Sequence, residues 1–215
     1  MTAAPHGLYV ILDPAVCSGG EVWPVAVAAL RAGVGWLQYR DKLREKGRQL
    51  ADLERILPLC REHGATLVVN DHADLAAVAG AAGVHVGQKD LPVRAVRSLL
   101  GPAAVVGTST NNPDEARAAE AAGASYVAVG CLFPTTTKHD TRPAGLETVK
   151  AVRGAVRVPV VGIGGITAAT AALVLRAGAD GVVVSSAVCA APDPEAAARE
   201  LLAAVASARE EAHVR

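Results

Sequence analysis

Tyr126-Val-Ala-Val-Gly-Cys-Leu-Phe-Pro-Thr-Thr-Thr-Lys138 changes character halfway along. Its first half is apolar and β-branched, the composition of a buried strand. It then breaks at Gly130 and Pro134 into a loop with three hydroxyls and an ammonium. Three threonines and a lysine just past a strand end form a donor-rich cradle for an anion. Lys138 supplies a point charge; Thr135, Thr136 and Thr137, with backbone N–H groups, supply short donors. In isolation the segment is as readily a plain polar surface loop, so the rest of the chain decides.

The same unit, strand then polar loop then helix, recurs on both sides. Strand-like runs fall at 8–12, 36–40, 66–70, 84–87, 104–108, 126–130, 158–162 and 181–185. Between them lie alanine-rich stretches of helical spacing, among them 25–32, 48–63, 113–122, 146–153 and 168–177, with a last helix over about 194–206. Ala32-Gly33, His63-Gly64, Ala122-Gly123 and Ala177-Gly178 are expected left-handed stops. Pro113-Asp114 and Asp193-Pro194 read as helix starts. Eight strand–helix units in 215 residues predict an α/β chain folded as one (β/α)8 (TIM) barrel, a single domain over 1–215. The rival is an open doubly wound sheet. It would usually carry a Gly-x-Gly-x-x-Gly turn after the first strand, which Leu12-Asp-Pro-Ala-Val16 lacks.

Composition narrows the function classes. Hydrophobic residues make up 51% and charged residues 20%, so the chain is globular. Twenty-one basic and 21 acidic residues give no net charge, and aromatics are 3%. The charge balance argues against nucleic acid or a membrane surface as partner, and so few aromatics leave little material for stacking bases. Cys17, Cys60, Cys131 and Cys189 show no paired metal spacing. With no signal peptide visible, free thiols in the cytoplasm are expected.

In such a barrel the chemistry gathers at the C-terminal ends of the strands. Those positions carry Gln38-Tyr39-Arg40-Asp41-Lys42, Asn70-Asp71-His72, Gly87-Gln-Lys-Asp90, Gly107-Thr-Ser-Thr-Asn111, the threonine loop, Gly162-Ile-Gly-Gly165 and Ser185-Ser186. Each has a bland reading. Asp71 and Asp90 could cap helices, Arg40 and Lys42 could be a solvated rim, and the glycines could make a plain turn. A shared pocket explains all of them at once. His72, His85 and His139 are accounted for by a first helical turn, a barrel wall and a loop. Arg40, Lys42 and Lys138 are cations at one mouth, and Asp71 and Asp90 are carboxylates from adjacent strands. Together they suit a diphosphate bridged by Mg2+. A second anion site at Gly165 and Ser185-Ser186 would hold a monophosphate on backbone N–H groups. Two phosphorylated ligands in one mouth suggest a transferase that joins them.

These pieces, with Val86-Gly-Gln-Lys-Asp90, Gly107-Thr-Ser109 and Val161-Gly-Ile-Gly-Gly-Ile166, resemble the thiamine phosphate synthase family in order and spacing along the whole chain. The resemblance implies a barrel that joins hydroxymethylpyrimidine diphosphate to a thiazole phosphate, releasing diphosphate and forming thiamine phosphate. The substitution it implies is dissociative: the C–O bond to diphosphate breaks first, and the thiazole nitrogen captures the pyrimidine cation. It implies that Gln38, Tyr39, Arg40, Asp41, Lys42, Asn70, Ser109 and Lys138 hold the pyrimidine diphosphate, with Arg40, Lys42 and Lys138 stabilising the leaving group. Asp71 and Asp90 would hold Mg2+. Thr135, Thr136, Thr137, Gly165, Ser185 and Ser186 would hold the thiazole phosphate, although the threonines equally suit the diphosphate. Two departures stand out: Cys131 where the family commonly has proline, and Asn111 where it commonly has histidine. The related thiazole tautomerase branch relies on a histidine in the strand-five loop, so Asn111 counts against that alternative. A non-catalytic thiamine phosphate sensor, the other alternative, could dispense with the metal carboxylates that this chain retains.

Overall fold

A computed structural model describes residues 5–135 and 143–213. Eight strands close into one barrel in sequence order, each hydrogen-bonded in parallel to the next and β8 to β1. They are β1 (Gly7–Leu12), β2 (Trp36–Tyr39), β3 (Thr66–Asn70), β4 (Gly83–Val86), β5 (Val105–Thr110), β6 (Tyr126–Val129), β7 (Val160–Ile163) and β8 (Gly181–Val184). The closed ladder excludes the open sheet.

Helices surround the barrel: α1 (Val22–Ala32), α2 (Lys46–Glu62), α3 (Ala73–Ala79), α4 (Val93–Leu100), α5 (Pro113–Ala121), α6 (Leu146–Arg153), α7 (Ala168–Arg176), α8 (Ser186–Cys189) and α9 (Pro194–His213). The Ala-Gly and His-Gly stops hold: Gly33, Gly64, Gly123 and Gly178 all lie at positive φ. The start of α9 is capped by the Asp193 carboxylate, which accepts the Ala196 N–H at 3.0 Å. At α5 the cap is Asn112, one residue before the expected start; its side chain accepts from the Glu115 N–H. Many boundaries move by one to three residues, and three differences stand out. The last helix runs to His213 because α9 packs on α1 and α7. The short α8 has too few residues to show a periodicity. β5 continues two residues past Thr108, which places Ser109 on the barrel wall beside Ala128 of β6.

Strand alternation sorts side chains to two sides. Outward-facing residues such as Leu37, Leu67, Val69, Val127 and Val129 join the apolar layer beneath the helices. Tyr9, Ile11, Trp36, Val68, Val105, Tyr126, Val161 and Val183 fill the barrel's interior. Three of the chain's six aromatic residues therefore sit inside the barrel. Tyr9, Trp36 and Tyr126 meet edge to face, with centroids 5.8 to 6.2 Å apart. Gly107 makes this possible, since a Cβ there would lie 2.0 Å from the Tyr126 ring.

Candidate active site

β2 and the loop after it set the site. Trp36 and Gln38 point inward, so Arg40 continues on the inner face at the C-terminal end. Its side chain is only 13% exposed, and Nη1 is paired with the Asp13 carboxylate from the end of β1. No local pattern in the sequence marks Asp13, because its contact with Arg40 spans 27 positions. Arg40 Nε is buried without a hydrogen-bond partner among the described residues. A buried cationic donor of that kind suits a multiply charged oxyanion.

Tyr39 and Asp41 face the other way. The Tyr39 hydroxyl lies 3.1 Å from Asp52 Oδ2 and 3.3 Å from Asp41 Oδ2. Arg44 donates to Asp41 at 2.5 Å and to Asp52 at 2.5 Å. The other Asp41 oxygen accepts the N–H groups of Leu43 and Arg44 at 2.9 and 3.0 Å. Burial alone would raise the Asp41 carboxyl. Those two N–H groups and the Arg44 guanidinium outweigh it and hold the carboxyl below its ordinary range. The motif implied five ligand residues in a row, but strand alternation brings Gln38 and Arg40 to the mouth and turns the side chains of Tyr39 and Asp41 into the helix layer.

Lys42 returns to the mouth. Its ammonium lies 3.1 Å from Asp71 Oδ2. Asp71, just past β3, has φ 61°, the one positive φ outside glycine among the described residues. Aspartate tolerates this left-handed conformation, and an outlier of this kind is a mark of functional sites. Asp71 does not cap α3, whose cap position is His72. Burial raises the Asp71 carboxyl above its ordinary value. Lys42 opposes that shift, and the Asp90 carboxyl within hydrogen-bonding reach reinforces it. Asp90 is no helix cap either: it accepts the Gly87 N–H at 2.8 Å, and Pro92 precedes α4.

Two carboxylates this close repel, and a hard divalent cation between them would relieve the repulsion. The donor set therefore fits Mg2+. Among the described residues no third His, Cys, Asp or Glu joins them in a metal-binding group. Oxygens from water or phosphate would complete the shell, as Mg2+ commonly requires.

The barrel floor below carries a chain of polar contacts. Gln38 Nε2 donates to the Tyr9 hydroxyl at 2.7 Å, and that hydroxyl lies 3.1 Å from the Tyr126 hydroxyl. Tyr126 lies 3.0 Å from His85 Nδ1, and His85 Nε2 lies 3.1 Å from Ser109 Oγ. Asn70, buried at the end of β3, is paired in register with His85. His85, expected as a plain barrel-wall residue, is thus bonded directly to a candidate ligand residue.

The second anion site has a mixed outcome. Gly165 has φ 62°, and a Cβ there would meet the Pro134 and Phe133 carbonyl oxygens at 2.5 and 2.8 Å. The glycine is therefore required first by the β6 and β7 loops packing together. The Ser185 hydroxyl donates to the Ile11 carbonyl at 3.1 Å, which ties β8 to β1. Ser186 is exposed and opens α8. Thr135 is the last described residue of its loop; Thr136, Thr137, Lys138 and His139 lie outside the described residues. Cys131, joined to Gly130 by a cis peptide bond, directs Sγ to the Phe133 carbonyl at 2.9 Å.

Comparison with known proteins identifies the family. Residues 8–188 match the family described as thiamine monophosphate synthase. The thiamine-phosphate synthase of Laribacter hongkongensis is 46% identical over 201 residues, 92% of this chain and 94% of that protein. A bifunctional thiamine biosynthesis protein of Symbiobacterium thermophilum is 48% identical over 205 residues; the match takes in 95% of this chain but 42% of the larger protein. Among solved structures, a thiamine phosphate pyrophosphorylase from Pyrococcus furiosus superposes with a TM-score of 0.87 at 34% identity, covering 94% of this chain and 96% of that one. With a family match over most of its length and a closed eight-stranded barrel, the chain belongs to the thiamine monophosphate synthase family.

Proposed function

We propose that this chain joins hydroxymethylpyrimidine diphosphate to a thiazole phosphate, forming thiamine phosphate and releasing diphosphate, in the presence of Mg2+. The observation that carries the reading is the charge pattern at the mouth. Among the described residues Arg40 presents a buried donor without a partner, and at the same end of the barrel Asp71 and Asp90 form a carboxylate pair whose repulsion favours a cation. Near-full-length relatives called thiamine-phosphate synthases support it.

Bound between Asp71 and Asp90, Mg2+ would neutralise charge on the departing diphosphate. The remaining work falls to side chains. Arg40, held by Asp13, and Lys42, held by Asp71, present fixed positive charge to the leaving oxygens. A dissociative step needs that leaving-group stabilisation more than a strong base. Gln38, Asn70 and Ser109 line the floor on which the pyrimidine ring would rest. Ser186 and the Gly165 turn would receive the thiazole phosphate. Holding both halves in one mouth removes much of the entropic cost of their encounter. Lys138 would add its charge to the diphosphate.

The direct test incubates the purified chain with both substrates and Mg2+ and looks for thiamine phosphate by mass. Product should form, cease with EDTA and return with added Mg2+. Product at full rate in EDTA would remove the metal from the proposal; no product under any condition would remove the reaction.

A further inference from the structure

We infer that the barrel floor is a one-way hydrogen-bond relay in which neutral His85, protonated on Nε2, acts as a positioning residue. It turns the Ser109 hydroxyl into a donor aimed at the bound pyrimidine diphosphate. The inference rests on the functional reading above for the identity of that ligand.

The direction follows from counting hydrogens. Gln38 Nε2 is an amide nitrogen and can only donate, so the Tyr9 oxygen accepts from it at 2.7 Å. Tyr9 is buried, and its hydroxyl has one other partner, the Tyr126 oxygen at 3.1 Å. The Tyr9 hydrogen must therefore go to Tyr126, because a buried hydroxyl without an acceptor is costly. Tyr126 in turn has its hydrogen left for His85 Nδ1 at 3.0 Å. Burial drives both phenols far above their ordinary values, so each keeps its proton. His85 Nδ1 must then be bare. A cationic His85 would force a second donor onto the Tyr126 oxygen and leave the Tyr126 hydrogen without an acceptor.

The ring's one hydrogen therefore sits on Nε2, 3.1 Å from Ser109 Oγ. Ser109 accepts there, and its own hydrogen is left to find an acceptor in the mouth. One amide on β2 thus sets the polarity of a hydroxyl on β5 across the width of the barrel. Gly107, which leaves room for the Tyr126 ring, is part of the same device.

The first measurement needs no substrate. Nitrogen-15 spectra of the imidazoles in the resting protein, with the His85 signals assigned by their loss in His85→Gln, should show His85 neutral and protonated on Nε2 alone. Tyr126→Phe removes one hydroxyl and keeps the ring; it should release the lock and give a mixture of the two tautomers. The second measurement is steady-state kinetics. Tyr126→Phe, His85→Gln and Ser109→Ala should each raise the KM for the pyrimidine diphosphate roughly five- to tenfold, about the range of one lost hydrogen bond, and leave the KM for the thiazole phosphate unchanged. Because His85 acts through Ser109, His85→Gln combined with Ser109→Ala should be no worse than Ser109→Ala alone.

A proton on Nδ1, a tautomer indifferent to Tyr126, or losses that multiply in the double variant would each overturn the relay. If the spectra came out as expected but no thiamine phosphate formed, the proposed reaction would fall and the relay would stand.

Discussion

Two clusters of the same charge composition flank β2, and they behave oppositely. Each joins a cation to a carboxylate pair: on the outer side Arg44 bonds both Asp41 and Asp52, and at the mouth Lys42 bonds Asp71, which lies against Asp90. Outside, the guanidinium reaches both carboxylates at 2.5 Å, and backbone N–H groups and the Tyr39 hydroxyl add to it. The Asp41 carboxyl is thereby held below its ordinary range. At the mouth the ammonium of Lys42, on a side chain 54% exposed, meets Asp71 at 3.1 Å, and burial with the Asp90 carboxyl pushes the Asp71 carboxyl up. A planar fork can serve two carboxylates at once, whereas a point charge on a flexible stem does so poorly. The outer cluster is satisfied by its own side chains and N–H groups, whereas the raised Asp71 carboxyl is disfavoured as an anion, which a bound metal ion would relieve.

The largest effect should come from breaking the complete cluster. Arg44→Leu leaves two buried carboxylates without their cation and should cost about 3–5 kcal/mol of stability in urea unfolding. The fraction that stays folded should keep its KM for both substrates. A raised KM with unchanged stability would mean that Asp41 and Tyr39 do face the ligand, and the comparison would fail.

At the mouth the order reverses. Asp71→Asn keeps a residue that tolerates positive φ and removes only the charge. It should lower kcat/KM roughly a hundred- to a thousandfold, the range for losing one preorganised electrostatic contact. Stability should move the other way. A carboxyl raised by burial binds its proton more tightly in the folded chain than in the unfolded one. Its contribution therefore turns unfavourable as pH rises through the carboxylate range and remains so at neutral pH. In metal-free buffer Asp71→Asn should be at least as stable as the parent at pH 7, and the difference should fade on acidification. Thermal unfolding across pH would show it, and a variant less stable than the parent at pH 7 would place Asp71 among the structural groups.

Tyr39→Phe should give the smallest change. It removes one hydroxyl from the outer cluster and should cost about 0.5–1.5 kcal/mol with unchanged kinetics. A tenfold rise in the KM for the pyrimidine diphosphate would restore Tyr39 to the ligand residues that the motif implied.

The sequence by itself determined the barrel. Eight apolar runs, each followed by a helical stretch with a glycine stop, allow little else, because strand period, helix period and left-handed caps are local properties of the chain. It also placed Arg40, Lys42, Asp71 and Asp90 at one mouth, since a residue just past a strand end lies at the same end of a barrel whichever strand carries it. It could not say which way each side chain turned. Gln38 and Tyr39 are adjacent and polar, and alternation alone separates a floor residue from a helix-layer one. Nor could it find Asp13 beneath Arg40, or the five-residue relay from Gln38 to Ser109, whose members come from β1, β2, β4, β5 and β6. Those contacts join positions as far apart as 117 residues. They exist only once the barrel closes, because its interior brings together side chains that no local period relates.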